Sequence, residues 1–232
     1  MGGTQTGRGV GLVTIGQAPR EDIEAVLRPA LGDRHIVQAG ALDRLDTAQI
    51  ATLAPADDDV PLVTRLRDGT QVVVGKRAVL PHLAEAVADV GADGRPVAVL
   101  CSGSFPRLES VVGVILPEAA LRTRLVRELG VSDRLGVVAP LREQADQAEV
   151  KWGDLATELV AVFASPYGPD SAVREAAARL RDRGPGLVLL DCMGFVERHR
   201  ALVADVVGVP VLSAASVLAD ALAEAPGGEV VR

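Results

Sequence analysis

The sequence is short of aromatic residues: one Trp, one Tyr and three Phe make up 2% of its 232 residues. So small a set argues against stacking on large rings and points to a small, polar ligand. Cysteine numbers two, too few for a disulfide scaffold or a thiolate zinc site, and in a reducing compartment both would be free thiols. The three histidines, His35, His82 and His199, have no metal-ligand spacing, so no metal site is expected. Apolar runs such as Val111-Val112-Gly113-Val114-Ile115-Leu116 fall far short of the ~20 residues that cross a bilayer, so no membrane partner is expected. The first nine residues show no charged segment followed by a greasy one, which leaves the cytoplasm as the default location. Lysine is nearly missing: Lys76 and Lys151 stand alone among 24 basic residues. That skew reads as the mark of a GC-rich genome and carries no functional weight. Bases are outnumbered by 31 acids, for a net charge of -7, and no stretch sets them beside aromatics, which argues against nucleic acid as a partner.

What the chain has is apolar residues, 48% of the total, in short β-branched runs that alternate with helical periodicity. Strands are predicted at Val10 to Ile15, His35 to Ala39, Pro96 to Leu100 and Val111 to Leu116. Between them lie helices at Arg20 to Leu31 and Ala78 to Val90, and Asp68-Gly69 marks a hairpin that would decorate the sheet. Pro117 opens a helix that Gly130 stops. The rhythm then restarts. Strands are expected at Leu135 to Ala139, Val160 to Ala164, Leu187 to Asp191 and Val209 to Leu212, with helices at Leu141 to Leu155, Asp170 to Arg183 (capped by Asp170), Phe195 to Val207 and Ser213 to Ala223. The pattern is α/β: two similar domains, each with a parallel four-stranded sheet covered on both faces. Residues 1–130 form the first and 131–212 the second.

In open parallel sheets, ligands sit beyond the carboxyl ends of the strands, so three stretches stand out. Thr14-Ile15-Gly16-Gln17-Ala18-Pro19-Arg20 leaves the first strand; Gly16 permits a tight turn, and Arg20 either holds a carboxylate bidentately or is merely solvated. A single Gly there is no dinucleotide fingerprint. Cys101-Ser102-Gly103-Ser104 and Asp191-Cys192-Met193-Gly194 each follow an apolar strand. A lone cysteine is usually an inert buried residue. Two cysteines at equivalent places in two similar halves are another matter. Opposed thiols across a cleft can take a proton from one face of a carbon acid and return one to the other. One must then be ionised, and a free thiol near pKa ~8.5 needs help from a helix N-terminus or a polar neighbour. The helix expected at Phe195 would supply that help beside Cys192, with Asp191 opposing it unless it accepts hydrogen bonds. His199 reads as structural, and Lys76-Arg77 either reaches an acidic substrate or is a solvated pair.

The stretch Leu189-Leu190-Asp191-Cys192-Met193-Gly194-Phe195 through Arg198-His199-Arg200, the Val209-Pro210-Val211-Leu212 run, and Thr14-Ile15-Gly16 with Pro19-Arg20 resemble the AroM family. That family is similar in turn to the aspartate/glutamate racemase superfamily, with its hydantoin racemases, maleate isomerases and arylmalonate decarboxylases. The resemblance implies a pseudo-twofold pair of flavodoxin-like domains, the last helix (within 213–232) returning to the first, and a cofactor-free site in the cleft between them. It implies a racemase, epimerase or related isomerase of a small carboxylate or amide-like acid. Cys101 and Cys192 would be the acid/base pair; Thr14, Gly16, Gln17, Arg20, Ser102, Gly103, Ser104, Met193 and Gly194 would hold the substrate. The racemases' Cys-Asn-Thr and Gly-Cys-Thr are here Cys101-Ser102-Gly103 and Asp191-Cys192-Met193, so the anion contacts differ. Alternatives on the same scaffold are a one-cysteine decarboxylase or cis–trans isomerase, and a binding protein without catalysis. A homo-oligomer stays open.

Overall fold

The Val10–Thr14 run, buried along its whole length, becomes β1, the first strand of a sheet covered on both faces. A computed structural model of the chain describes residues 9–129 and 134–224. The first half runs β1, α1 (Glu21–Leu31), β2 (Ile36–Gly40), α2 (Thr47–Ala51), β3 (Pro61–Arg65), β4 (Gln71–Gly75), α3 (Lys76–Gly91), β5 (Val97–Leu100), α4 (Pro106–Glu109), β6 (Val114–Ile115) and α5 (Pro117–Glu128). The second runs β7 (Arg134–Ala139), α6 (Arg142–Asp146), α7 (Ala148–Trp152), a 3-10 turn (Gly153–Leu155), β8 (Glu158–Phe163), α8 (Asp170–Arg181), β9 (Leu187–Leu190), α9 (Glu197–Val207), β10 (Val211–Ser213) and α10 (Ala214–Glu224).

The two main sheets are wholly parallel and share one topology. The first is ordered β2-β1-β5-β6 and the second β8-β7-β9-β10, so in each half the order is second, first, third, fourth strand. The expected pair of flavodoxin-like domains is therefore what the chain forms. One face of both sheets contributes to a common core: Leu12 and Leu100 of the first sheet pack in one cluster with Leu135, Val137 and Leu189 of the second and with Trp152. The outer face of the first sheet is covered by α3 through Val79, Leu83 and Val87, and that of the second by α8 and α9 through Val173, Leu180 and Val203. Helix α10 leaves the second sheet and packs on α1 and α5 of the first half. Its turn is prepared by Ser213, whose hydroxyl accepts the Ser216 N–H at 3.1 Å.

Several expected elements differ. The single helix over Leu141 to Leu155 is broken at Gln147, which ends α6 and begins α7; the break allows Ala148 and Trp152 to turn inward, Trp152 with no exposure. The strand expected at Val111 to Leu116 shrinks to Val114–Ile115, because Val111 and Val112 face solvent and Gly113 takes a positive φ of 81°. Asp170 is the first residue of α8 and makes no cap; Pro169 occupies the cap position. The helix after Cys192 starts at Glu197, not Phe195. The hairpin β3–β4 is a separate two-stranded sheet and reaches over the cleft, where Gln144 Nε2 of the second half donates to Pro61 O at 2.7 Å. The Gly130 stop and the boundary between 130 and 131 lie outside the described residues.

Candidate active site

With this strand order, the crevice opens where β1 and β5 diverge in one half and β7 and β9 in the other. The carboxyl ends of these four strands meet at one cavity of about 630 Å³. Ile15 enters it after β1, Cys101 after β5, Pro140 after β7, and Asp191 and Cys192 after β9; Val60 to Thr64 of the hairpin and its approach add another wall. Both cysteines are partly exposed and unbridged.

Their local structure is the same. Each lies in a Cys-x-Gly turn, and the N–H two residues on donates to the sulfur: Gly103 to Cys101 Sγ and Gly194 to Cys192 Sγ, both at 3.4 Å. A loop amide thus does what was expected of a helix terminus. Burial pushes the Cys192 thiol up to about 12, against the Gly194 N–H and the charge of Arg20. The Cys101 thiol is also pushed up by burial, while the Gly103 N–H and the charges of Lys151 and Lys76 draw it down. Each sulfur is thus opposed by different groups: two lysines face Cys101, one arginine Cys192.

Lys151, set aside in the sequence, sits between the two turns. Its Nζ donates to Ser102 O at 2.9 Å and to both oxygens of Asp191 at 2.9 and 2.8 Å. Asp191 also accepts the indole N–H of Trp152 at 2.8 Å. The residue after one cysteine and the residue before the other are therefore tied to one ammonium. Asp191 thus accepts hydrogen bonds from Lys151 and Trp152, yet its charge still pushes both thiols up.

Of the substrate-holding residues expected from sequence, Arg20, Ser102, Gly103, Ser104, Met193 and Gly194 line the cavity. Thr14, Gly16 and Gln17 do not. Thr14 is buried at the end of β1, where its hydroxyl accepts the Gly16 N–H at 3.4 Å. Gly16 packs so closely that a Cβ would lie 2.3 Å from Arg65 O. Gln17 is held between Leu42 O and the Arg67 N–H. These three shape the loop from behind. Arg20 is neither solvated nor free: its guanidinium grips Asp22 with two bonds of 2.9 Å and donates to Tyr167 Oη at 3.2 Å. Burial opposes the Arg20 charge, yet the bonds to Asp22 outweigh it and raise its pKa; Asp22, which burial alone would raise, is brought below the usual carboxylate range. Burial also raises Tyr167, so its phenol is neutral at the cavity wall.

Sequence reasoning missed Lys151, Tyr167 and the hairpin wall. The signal was rarity: both lysines and the single tyrosine of the chain line this cavity. Lys76, opening α3, has its Nζ 5.5 Å from the Phe105 ring centroid, whereas neighbouring Arg77 turns out to Asp58. His199 is structural: Nδ1 accepts the Val196 N–H at 3.1 Å at the start of α9. Among the described residues, no group of His, Cys, Asp or Glu could hold a metal ion, and no helix is long and apolar enough to cross a membrane.

The family model described as AroM protein matches residues 10–225. The chain belongs to the AroM family. No curated protein sequence matches it. Among solved structures, unliganded arylmalonate decarboxylase superposes with a TM-score of 0.58 at 17% identity, over 96% of this chain and 94% of that one. Allantoin racemase from Pseudomonas fluorescens gives 0.60 at 13%, over 92% and 88%. Glutamate racemase from Bacillus anthracis gives 0.61 at 12%, over 94% and 81%. This AroM chain thus shares the fold of the aspartate/glutamate racemase superfamily across nearly its whole length.

Proposed function

We propose that the chain is a cofactor-independent racemase or epimerase, or a related isomerase, of a small carboxylate or amide-like acid, with Cys101 and Cys192 as its acid/base pair. The observation that carries this reading is the paired Cys-x-Gly turns at equivalent strand ends, both opening on one cavity. The racemases, maleate isomerase and decarboxylase that share the fold support it at the level of scaffold.

In one direction the Cys101 thiolate, opposite Lys76 and Lys151, takes the α-proton and becomes a thiol. Cys192, a thiol in the resting state, gives its proton to the opposite face and becomes a thiolate. The reverse direction exchanges the roles. Each transfer needs a reach of about 3 to 3.5 Å between sulfur and carbon. Between the two steps the substrate carries an extra negative charge, and the cationic wall is what lowers its energy in a cavity of low dielectric.

In D₂O the enzyme incorporates deuterium at the substrate α-carbon, and Cys101→Ser and Cys192→Ser each abolish that exchange. Unchanged exchange in both variants would sink the reading. One feature favours a second reading, a binding protein without turnover: burial opposes the thiolate form at both sulfurs, so neither is favoured as the base. On that reading a carboxylate raises Tm while no deuterium enters it.

A further inference from the structure

Charge on the cavity wall is unevenly matched. Its cations are Arg20, Lys76, Arg122 and Lys151, and its carboxylates are Glu118 and Asp191. Asp191 is held by Lys151 at 2.8 Å, and Glu118 stands 3.7 Å from Arg122, which also grips Asp154 at 2.9 Å. Arg20 is paired with Asp22. Lys76 alone of the four has a side chain with no ion pair or hydrogen bond among the described residues; its ammonium lies 5.5 Å from the Phe105 ring centroid. Thus every wall carboxylate has a cation, and one cation lacks a carboxylate. An exposed lysine without a partner is ordinary, but this one is half-buried in a cavity, where an uncompensated charge is costly and an arriving anion is correspondingly favoured.

Beside polar Thr64, Ser102, Ser104, Gln144, Gln147 and Tyr167, part of the wall is aliphatic. Val60, Leu62 and Val63 of the hairpin side line it, as does Met193 from the second half, with Val150 at the exposed rim. The aliphatic part of the wall accepts a branched apolar substituent, whereas sequence composition alone suggested a small, polar ligand.

We infer that the cavity takes a monocarboxylate that carries an apolar substituent and no α-ammonium, with Lys76 as the carboxylate anchor. Lys76 and Cys101 line the same cavity, so an anion held by Lys76 lies in the space onto which that sulfur opens. An amino acid meets the same anchor but finds no unpaired carboxylate for its ammonium. This inference rests on the cavity being the substrate site of the proposed isomerase, and it deepens that reading by excluding α-amino acids.

The test uses two compounds with one carbon skeleton, racemic 2-hydroxy-4-methylpentanoate and racemic leucine, titrated by calorimetry into the full chain. The hydroxy acid binds at least about tenfold more tightly than leucine, and Lys76→Met weakens it about 10- to 100-fold, the range for losing a charge-assisted hydrogen bond. Lys76→Arg retains most of the affinity. The Lys76 side chain has no ion-pair or hydrogen-bond partner to lose among the described residues, and its backbone N–H keeps Val60 O, so circular dichroism shows Lys76→Met folded as the parent is. Leucine binding as tightly as the hydroxy acid, or no binding of either, or equal affinity of the parent and Lys76→Met overturns the inference. Deuterium exchange is read separately on the same samples. Lys76-dependent binding without exchange upholds the ligand class and defeats the isomerase, whereas exchange into leucine does the reverse.

Discussion

Replacing Lys151 by Met separates the clamp's structural from its electrostatic role. The side chain of Asp191 is 9% exposed and that of Lys151 24%, so the pair is screened far less than a surface ion pair. Removing one partner of a buried pair costs about 3 to 5 kcal/mol, because the other is left as an uncompensated charge. Here Asp191 keeps the Trp152 N–H at 2.8 Å, which favours the lower end, about 3 kcal/mol. For a chain of this size each kcal/mol lowers Tm by about 2 to 4 °C, so Lys151→Met should melt about 6 to 12 °C below the parent. Asp191→Asn in the same chain removes the stranded charge, and the double variant should recover most of the loss. Scanning calorimetry of the parent, both single variants and the double variant closes the cycle. A loss below about 2 °C in Lys151→Met, or a double variant that falls as far as the two single losses combined, would refute the reasoning. The electrostatic role has its own readout. In a Cys192→Ser background, iodoacetamide alkylates Cys101 more slowly at pH 8 once Lys151 is gone, since the charge that favours its thiolate has left.

Two further outcomes follow from the same geometry. Burial pushes the folded Cys192 thiol up to about 12, above the ordinary value of ~8.5, so the unfolded chain loses this proton first. Its contribution to stability is complete below pH ~8.5 and declines as pH rises toward about 12; Tm between pH ~9 and ~11 should fall more steeply in the parent than in Cys192→Ala. In Gly194→Ala the new Cβ would lie 2.6 Å from Tyr167 Oη and 2.8 Å from Pro166 Cγ, so Tyr167 must move off Arg20. Overpacking of this kind costs about 1 to 3 kcal/mol, and the displaced ring narrows the cavity. Calorimetry should show both a lower Tm and weaker carboxylate binding, while Gly208→Ala, at a left-handed helix end outside the cavity lining, should lower Tm alone.

The fold was legible wherever burial is continuous. Leu187–Leu190 and Val97–Leu100 are apolar throughout, and a run of that kind bounded by turn residues has few ways to satisfy its backbone other than the middle of a parallel sheet. Both cysteines follow such runs, which is why they could be placed on the chain alone. Lys151 could not be. Its partners are 40 and 49 residues away, and it reaches them only because the chain breaks at Gln147, a break set by the burial of Trp152 and invisible to helical periodicity. Arg20 was legible as a residue of the site and not in its role, because Asp22, two residues on, occupies the guanidinium that the loop would otherwise offer a ligand.

Helix α10 follows the second sheet in the chain and packs on the first half. Its Leu218 and Leu222 are sealed against the cluster that holds Ile23, Leu27, Leu121 and Leu125. During synthesis the N-terminal half therefore emerges with one greasy flank uncovered, and nothing in the next ~80 residues can close it except the central core shared with the second sheet. The order of translation and the order of final packing run in opposite senses. Until α10 arrives, that apolar flank is open to association with other chains, the general hazard of incompletely packed intermediates.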